Sequence, residues 1–193
     1  MKIIVEANEF QWKELEIIPG INWIRVYDDE DFKENENASA YFNLANNTQS
    51  LYNNLPLVFC TVINQIANKQ AFCINAWPGF LLRNSWEIKG VKNQEVAELI
   101  SSFGKKVMWV NDEFISTRII SMIINEAYFA LEEKVSTKEE INIAMKLGTG
   151  YPFGPFEWAE KIGLKNVFNV LDKLSKTDER YNPSEFLKME AIK

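Results

Sequence analysis

The chain contains no histidine. That one absence excludes His-based general acid–base catalysis, Ser–His and Cys–His nucleophiles, and His-ligated metal sites. Any catalyst here has to be a carboxylate, a lysine, a tyrosine or a cysteine. Glycine is missing from the N-terminal stretch: the first is Gly20 and the next is Gly79. The only cysteines are Cys60 and Cys73, set among apolar residues with no C-x-x-C spacing, and they read as buried reduced thiols. No run of Lys or Arg exceeds two, and the net charge is −6. This is not the electrostatic footprint of phosphate-backbone binding, so nucleic acid is not an expected partner. No apolar run reaches membrane-spanning length, and Met1–Glu6 is too short, and acidic too early, for a secretory signal. The expectation is a cytoplasmic protein without a membrane partner.

What is present is core-forming material: 193 residues, 47% hydrophobic and 13% aromatic, enough for one compact domain or two small ones. Met1–Val5 is an apolar run of the kind that lies buried in a parallel sheet. In a dinucleotide-binding fold a glycine-rich turn follows such a strand, so that backbone N–H groups can approach a pyrophosphate. Here the chain continues Glu6-Ala7-Asn8-Glu9, and carboxylates there repel phosphate. No standard NAD site is therefore expected. Further strands are read at 21–27, 40–44, 57–61, 71–74, 86–88 and 105–110. The acidic stretch 28–37 reads as an exposed loop rather than a metal site, Asn64 to Asn68 as a polar connection, and 75–80 as a turn. One helix over 93–103 carries Val96, Leu99, Ile100 and Phe103 on a face and ends at Gly104.

From Phe114 the periodicity becomes helical. Ile115, Ile119, Met122, Ile123, Ala127, Ala130 and Leu131 recur at three- and four-residue spacing. Ser136 with Glu139 has the spacing of a capping box for a second helix that stops at Gly148. Pro155 suits the first turn of a third helix that ends at Gly163. Residues 166–174 form a fourth helix, and Asn182-Pro183-Ser184 opens a short terminal one. Gly148-x-Gly150-x-x-x-Gly154 looks phosphate-binding on the surface, but it follows a helix and contains Pro152, so it reads as an interhelical corner.

The series Phe114-Ile115, Arg118, Asn125-Glu126-Ala127, Ser136 with Glu139, Ala144-Met145, Gly148, Gly150, Pro152, Gly154-Pro155-Phe156-Glu157, Ile162-Gly163-Leu164 and Arg180-Tyr181 with Pro183 resembles the C-terminal domain of the 3-hydroxyacyl-CoA dehydrogenases. The N-terminal part resembles their Rossmann domain in truncated, degenerate form. The expected fold is α/β plus all-α: a short Rossmann-like sheet layer over 1–110, then a helical domain over 111–193.

In that family NAD oxidises a 3-hydroxyacyl thioester, a His takes the hydroxyl proton, and a Glu holds the His. The resemblance puts Glu87 at the Glu position and the His position near 72–74, where none stands. It puts Thr117-Arg118 where the family has Asn-Arg, and Thr61 at its Ser/Thr-rich strand end. Glu87, Thr61 and Thr117 are thus the candidate catalytic positions. Trp77, Phe80, Trp86 and Arg118 are candidates for substrate binding. No cofactor is expected, since the family's NAD site is missing; acyl-CoA is the candidate ligand and homodimerisation through the helices the expected assembly. Three readings follow: a dimeric binding or regulatory pseudoenzyme, an acyl-CoA enzyme using Glu87 with Thr61 or a tyrosine, and an oligomerisation scaffold.

Overall fold

The computed structural model describes residues 1–35, 37–45, 55, 57–61, 71–111 and 113–192, with only the backbone at position 29. The chain divides into two compact units, Met1–Phe114 and Ile115–Lys193. The expected connection at 64–68 lies outside the described residues.

The first unit is built on β1 (Lys2–Glu6), β2 (Asn22–Arg25), β3 (Ala40–Asn43), β4 (Val58–Thr61), β5 (Phe72–Ile74), β6 (Ser85–Lys89) and β7 (Lys106–Val110). They form one sheet in the order β2-β1-β3-β4-β5-β6-β7. All neighbours are parallel except β5 and β6. The chain leaves β1 for β2 on one side and returns to β3 on the other, which makes a topological switch point between β1 and β3. This is the expected Rossmann-like sheet layer.

α1 (Glu9–Glu16) was not legible as a helix because the residues it buries are Gln11, Glu14 and Leu15, so its inner face shows no apolar stripe. The 28–37 stretch also departs from a simple exposed loop. Asp28 caps the five-residue α2 (Asp29–Lys33), whose Phe32 is buried edge-on against Tyr41 at 5.4 Å. α3 (Gln94–Ser102) forms as read.

Side chains alternate across the pleat. Ile3, Val5, Phe42, Phe59, Ile74, Trp86 and Ile88 face one side and pack with Leu15 of α1 and Val96, Leu99 and Ile100 of α3. Phe42 stacks on Phe59 at 4.3 Å. Ile4, Tyr41, Val26, Phe32 and Ala38 make a smaller cluster on the other side.

The second unit contains α4 (Ile115–Glu132), α5 (Lys138–Thr149), α6 (Pro155–Ile162), α7 (Leu164–Ser175) and α8 (Glu185–Ala191). The cap of α5 is one residue later than the sequence suggested. Thr137 Oγ1 accepts from Glu140 N–H and the Glu140 carboxylate accepts from Thr137 N–H, while Ser136 Oγ donates to the same carboxylate at 2.5 Å. The helix also runs past Gly148 and ends at Gly150, whose φ of 69° is the left-handed conformation glycine adopts without a Cβ penalty.

Pro155 opens α6 as expected. Gly154 is required by close approach: a Cβ there would lie 2.6 Å from the Cα of Asn142. Across the same corner Asn142 Oδ1 accepts from Phe156 N–H at 3.0 Å, and Lys146 pairs with Glu157 at 2.5 Å. α4 fastens the C-terminal segment with Asn125, Tyr128 and Glu132, which share one helical face. Buried Asn125 donates to Asn182 O and accepts from Ser184 N–H, both at 2.9 Å. Tyr128 donates to Glu190 at 2.7 Å, and Glu132 accepts from Phe186 N–H at 2.5 Å.

Candidate functional site

In open α/β sheets ligands bind beyond the carboxyl ends of the strands, next to the switch point. In this sheet those ends carry buried polar residues: Glu6 on β1, Asn43 on β3, Thr61 on β4 and Asn75 directly after β5. The register makes a transverse row of them. Glu6 pairs with Asn43, Asn43 with Cys60, Cys60 with Cys73, and Cys73 with Lys89.

Glu87 is buried in the middle of β6. Its immediate neighbours Trp86 and Ile88 face the large core, so the pleat turns Glu87 to the opposite side. β5 and β6 pair Cys73 with Lys89 and Ile74 with Ile88. Asn75, just past the 72–74 stretch to which the resemblance pointed, is the next position along that register but lies beyond the paired residues. An amide can donate and accept hydrogen bonds but cannot take a proton. The expected partnership of Glu87 with Thr61 also fails on geometry, because Thr61 is in register with Ile74 and stands on the core side.

The three aromatic residues expected around one cleft have different surroundings. Trp86 is a core residue: its Nε1 donates to Leu81 O at 3.0 Å and its ring packs against Phe103 at 5.8 Å and Phe42 at 6.4 Å. Phe80 is half-buried, with the Arg83 guanidinium over its ring at 5.8 Å. Trp77 is 3% exposed, and its backbone N–H donates to Asn75 Oδ1 at 3.0 Å. Among the described residues the Trp77 Nε1 and the Thr61 Oγ1 are buried without a hydrogen-bond partner. Buried polar groups of that kind are uncommon and call for a partner. The loop that carries Trp77 and Phe80 is held by Glu14, whose carboxylate accepts from Gly79 N–H at 2.6 Å and Leu81 N–H at 3.2 Å. Desolvation raises the Glu14 pKa above the ordinary glutamate value, against the opposing pull of those N–H groups.

In the helical unit Thr117 is buried and Arg118 exposed on α4. One turn on, Ser121 is buried too, and among the described residues neither hydroxyl has a partner. Sequence reading missed Ser121, Asn75 and the cysteine pair. The signal for Ser121 was its i+4 spacing from Thr117; the other two depend on strand register.

The fit to a dinucleotide can be tested at the turn after β1. The Asn8 side chain accepts from Gln11 N–H at 2.9 Å and the Gln11 side chain accepts from Asn8 N–H at 3.0 Å, a reciprocal cap that occupies these N-terminal donors of α1. Glu9 stands in the first turn and pairs with Arg25 at 2.5 Å, and Arg25 also donates through Nε and Nη2 to Ala7 O. A pyrophosphate at this helix end meets an occupied cap and a carboxylate. The residues present do not fit the group. Among the described residues no cluster of three His, Cys, Asp or Glu side chains could hold a metal ion, and no helix is long and apolar enough to cross a membrane.

A mostly parallel sheet with a switch point, followed in sequence by a separate helical unit, defines a two-domain protein with a Rossmann-like first half. The particular lineage follows from the second half: residues 114–191 match the family "3-hydroxyacyl-CoA dehydrogenase, C-terminal domain". The match lies on the helical unit and does not extend into the sheet. It is 36% identical over 93 residues to 3-hydroxyadipyl-CoA dehydrogenase of Escherichia coli K12, a match covering 46% of this chain and 20% of that protein. It is 38% identical over 94 residues to 3-hydroxybutyryl-CoA dehydrogenase of Bradyrhizobium diazoefficiens, covering 47% of this chain and 32% of that one. The matches thus span a third or less of these two relatives. Among solved structures, (S)-3-hydroxybutyryl-CoA dehydrogenase PaaH1 from Ralstonia eutropha superposes with a TM-score of 0.63 at 21% identity. That superposition covers 87% of this chain and 69% of the other, and at this identity it establishes the fold alone.

Proposed function

We propose that this chain binds a CoA thioester without carrying out hydride transfer, and acts as a dimeric binding or regulatory subunit. The observation that carries this reading is the closed turn after β1, where the Asn8–Gln11 cap and the Glu9–Arg25 pair stand in the path of a pyrophosphate. The absence of histidine agrees with it. For the ligand, the relatives named above are CoA-thioester dehydrogenases, and Trp77 Nε1 and Thr61 Oγ1, without a partner among the described residues, are donors a thioester carbonyl could take. For the dimer, α5 buries none of its residues in this chain and exposes Ile143 at 54% and Leu147 at 83%.

Thermal-shift measurement with acetoacetyl-CoA, CoA and NAD tests the proposal, because a ligand of the folded state raises the unfolding midpoint. Acetoacetyl-CoA is expected to raise it and NAD to leave it unchanged. NAD-dependent turnover of a 3-hydroxyacyl-CoA that is lost in Glu87→Gln overturns the proposal. The alternative of an acyl-CoA enzyme rests on the burial of Glu87, and cofactor-independent turnover of an acyl-CoA lost in that variant would favour it. Silence with all three ligands, together with a dimer in sedimentation, favours a pure scaffold.

A further inference from the structure

The two cysteines of the chain, 13 residues apart in sequence, meet in the sheet. Cys60 on β4 and Cys73 on β5 are register partners on adjacent parallel strands, and their Sγ atoms lie 2.8 Å apart with one thiol donating to the other. Residues directly paired across two strands project to the same face. The spacing of neighbouring strands, about 4.8 Å, falls inside the Cα separation that a disulfide bridges, roughly 4.4–6.8 Å. Neither thiol therefore needs backbone movement to reach the other. The next strand places Lys89 opposite Cys73. Cys60 is fully buried and Cys73 is half-buried, so the two sulfurs are unequal in access. The Cys60 thiol first, and then the Lys89 charge, hold the Cys73 pKa below the ordinary thiol value.

We propose that Cys60 and Cys73 form an oxidisable dithiol that a hydroperoxide converts into an intrachain disulfide bridging β4 and β5. Cys73, the more accessible sulfur, attacks first. Its thiolate forms a bond to the distal peroxide oxygen, the O–O bond breaks, and the departing oxygen leaves as water after taking up a proton, which gives a sulfenic acid. Cys60 then attacks the Cys73 sulfur, the S–S bond forms, the S–O bond breaks, and hydroxide leaves as water with the proton of Cys60. Two thiols and one hydrogen peroxide become one disulfide and two waters. The bond lies in the same transverse row as Asn43 and Lys89, one residue before both Thr61 and Ile74.

The experiment treats the folded full-length chain with one equivalent of hydrogen peroxide, titrates thiols with a chromogenic disulfide, and maps non-reduced peptides. The expected result is loss of both thiols under native conditions, a Cys60–Cys73 linked peptide pair within a single chain, and full reversal by dithiothreitol. In Cys60→Ser, Cys73 still oxidises but stops at a sulfenic acid that dimedone traps. In Cys73→Ser, oxidation of the remaining thiol slows by about tenfold or more, since the accessible thiolate is gone. Thiols that react only in denaturant overturn the proposal. So does a disulfide formed only between chains, or equal rates for the two single variants.

Discussion

Both units bury polar side chains, and they differ in where some of the unpartnered ones stand: on α4 at Thr117 and Ser121 in the helical unit, at Thr61 and Trp77 in the sheet unit, among the described residues. In the helical unit Asn125 joins α4 to the segment before α8, Asn142 and Lys146 close the corner onto α6, and Tyr128 and Glu132 hold the last helix. Each of these groups does a structural task fixed by helix geometry. Along the carboxyl edge of the sheet, Thr61 Oγ1 and Trp77 Nε1 have no protein partner among the described residues. Residues that hold helices together are constrained by packing whatever the protein binds. The helical half matches a family model in sequence, whereas the similarity that reaches the sheet half is one of fold.

Asn125→Ala should produce the largest change. It strands the Ser184 N–H and the Asn182 carbonyl, and with about 1–3 kcal/mol for each unsatisfied buried group the loss should be on the order of 2–4 kcal/mol. Denaturant unfolding measures it, with hydrogen exchange showing lost protection in α8. A change within experimental error would break the claim that this asparagine holds the C-terminal segment. Next is Gly154→Ala, which forces a methyl against the Asn142 backbone; overpacking of this kind costs about 1–3 kcal/mol. By contrast Gly148→Ala, with open space around its Cβ, should be neutral or slightly stabilising, and equal losses for the two variants would refute the close-approach argument.

The smallest effects distinguish the units by sign. Glu157 is held below the ordinary glutamate pKa by the Lys146 hydrogen bond first and the Gly154 N–H second. Its contribution is present above the unfolded-state value and lost as pH falls through the depressed one. Glu14 is raised by desolvation, so its contribution is present below the unfolded-state value and lost as pH rises through the raised one. Stability measured across the carboxylate range should therefore lose part of its acid-side fall in Glu157→Gln, and part of its decline on rising pH in Glu14→Gln. Slopes that change in the same direction would sink the assignment.

Much of this was legible in the residues. All seven strands were, from short β-prone runs between polar connections, and so was α3, from its apolar face and the glycine that follows it. α1 was hidden by polar residues on its buried face, and the α5 cap slipped by one because Ser136 and Thr137 are both chemically able to serve. Glu87 was readable as a candidate only through the family resemblance. Its surroundings were not, since one step along a strand reverses the face a side chain occupies.

The sequence by itself determined the missing histidine, the missing glycine turn and the helical family signature, because each depends on which residues are present and how they are spaced along the chain. Only the tertiary structure decided that Trp86 is core, that Thr61 and Glu87 face opposite sides, and that Cys60 meets Cys73. These depend on strand order and register, which bring together residues far apart along the chain, and no local pattern encodes which strand lies next to which.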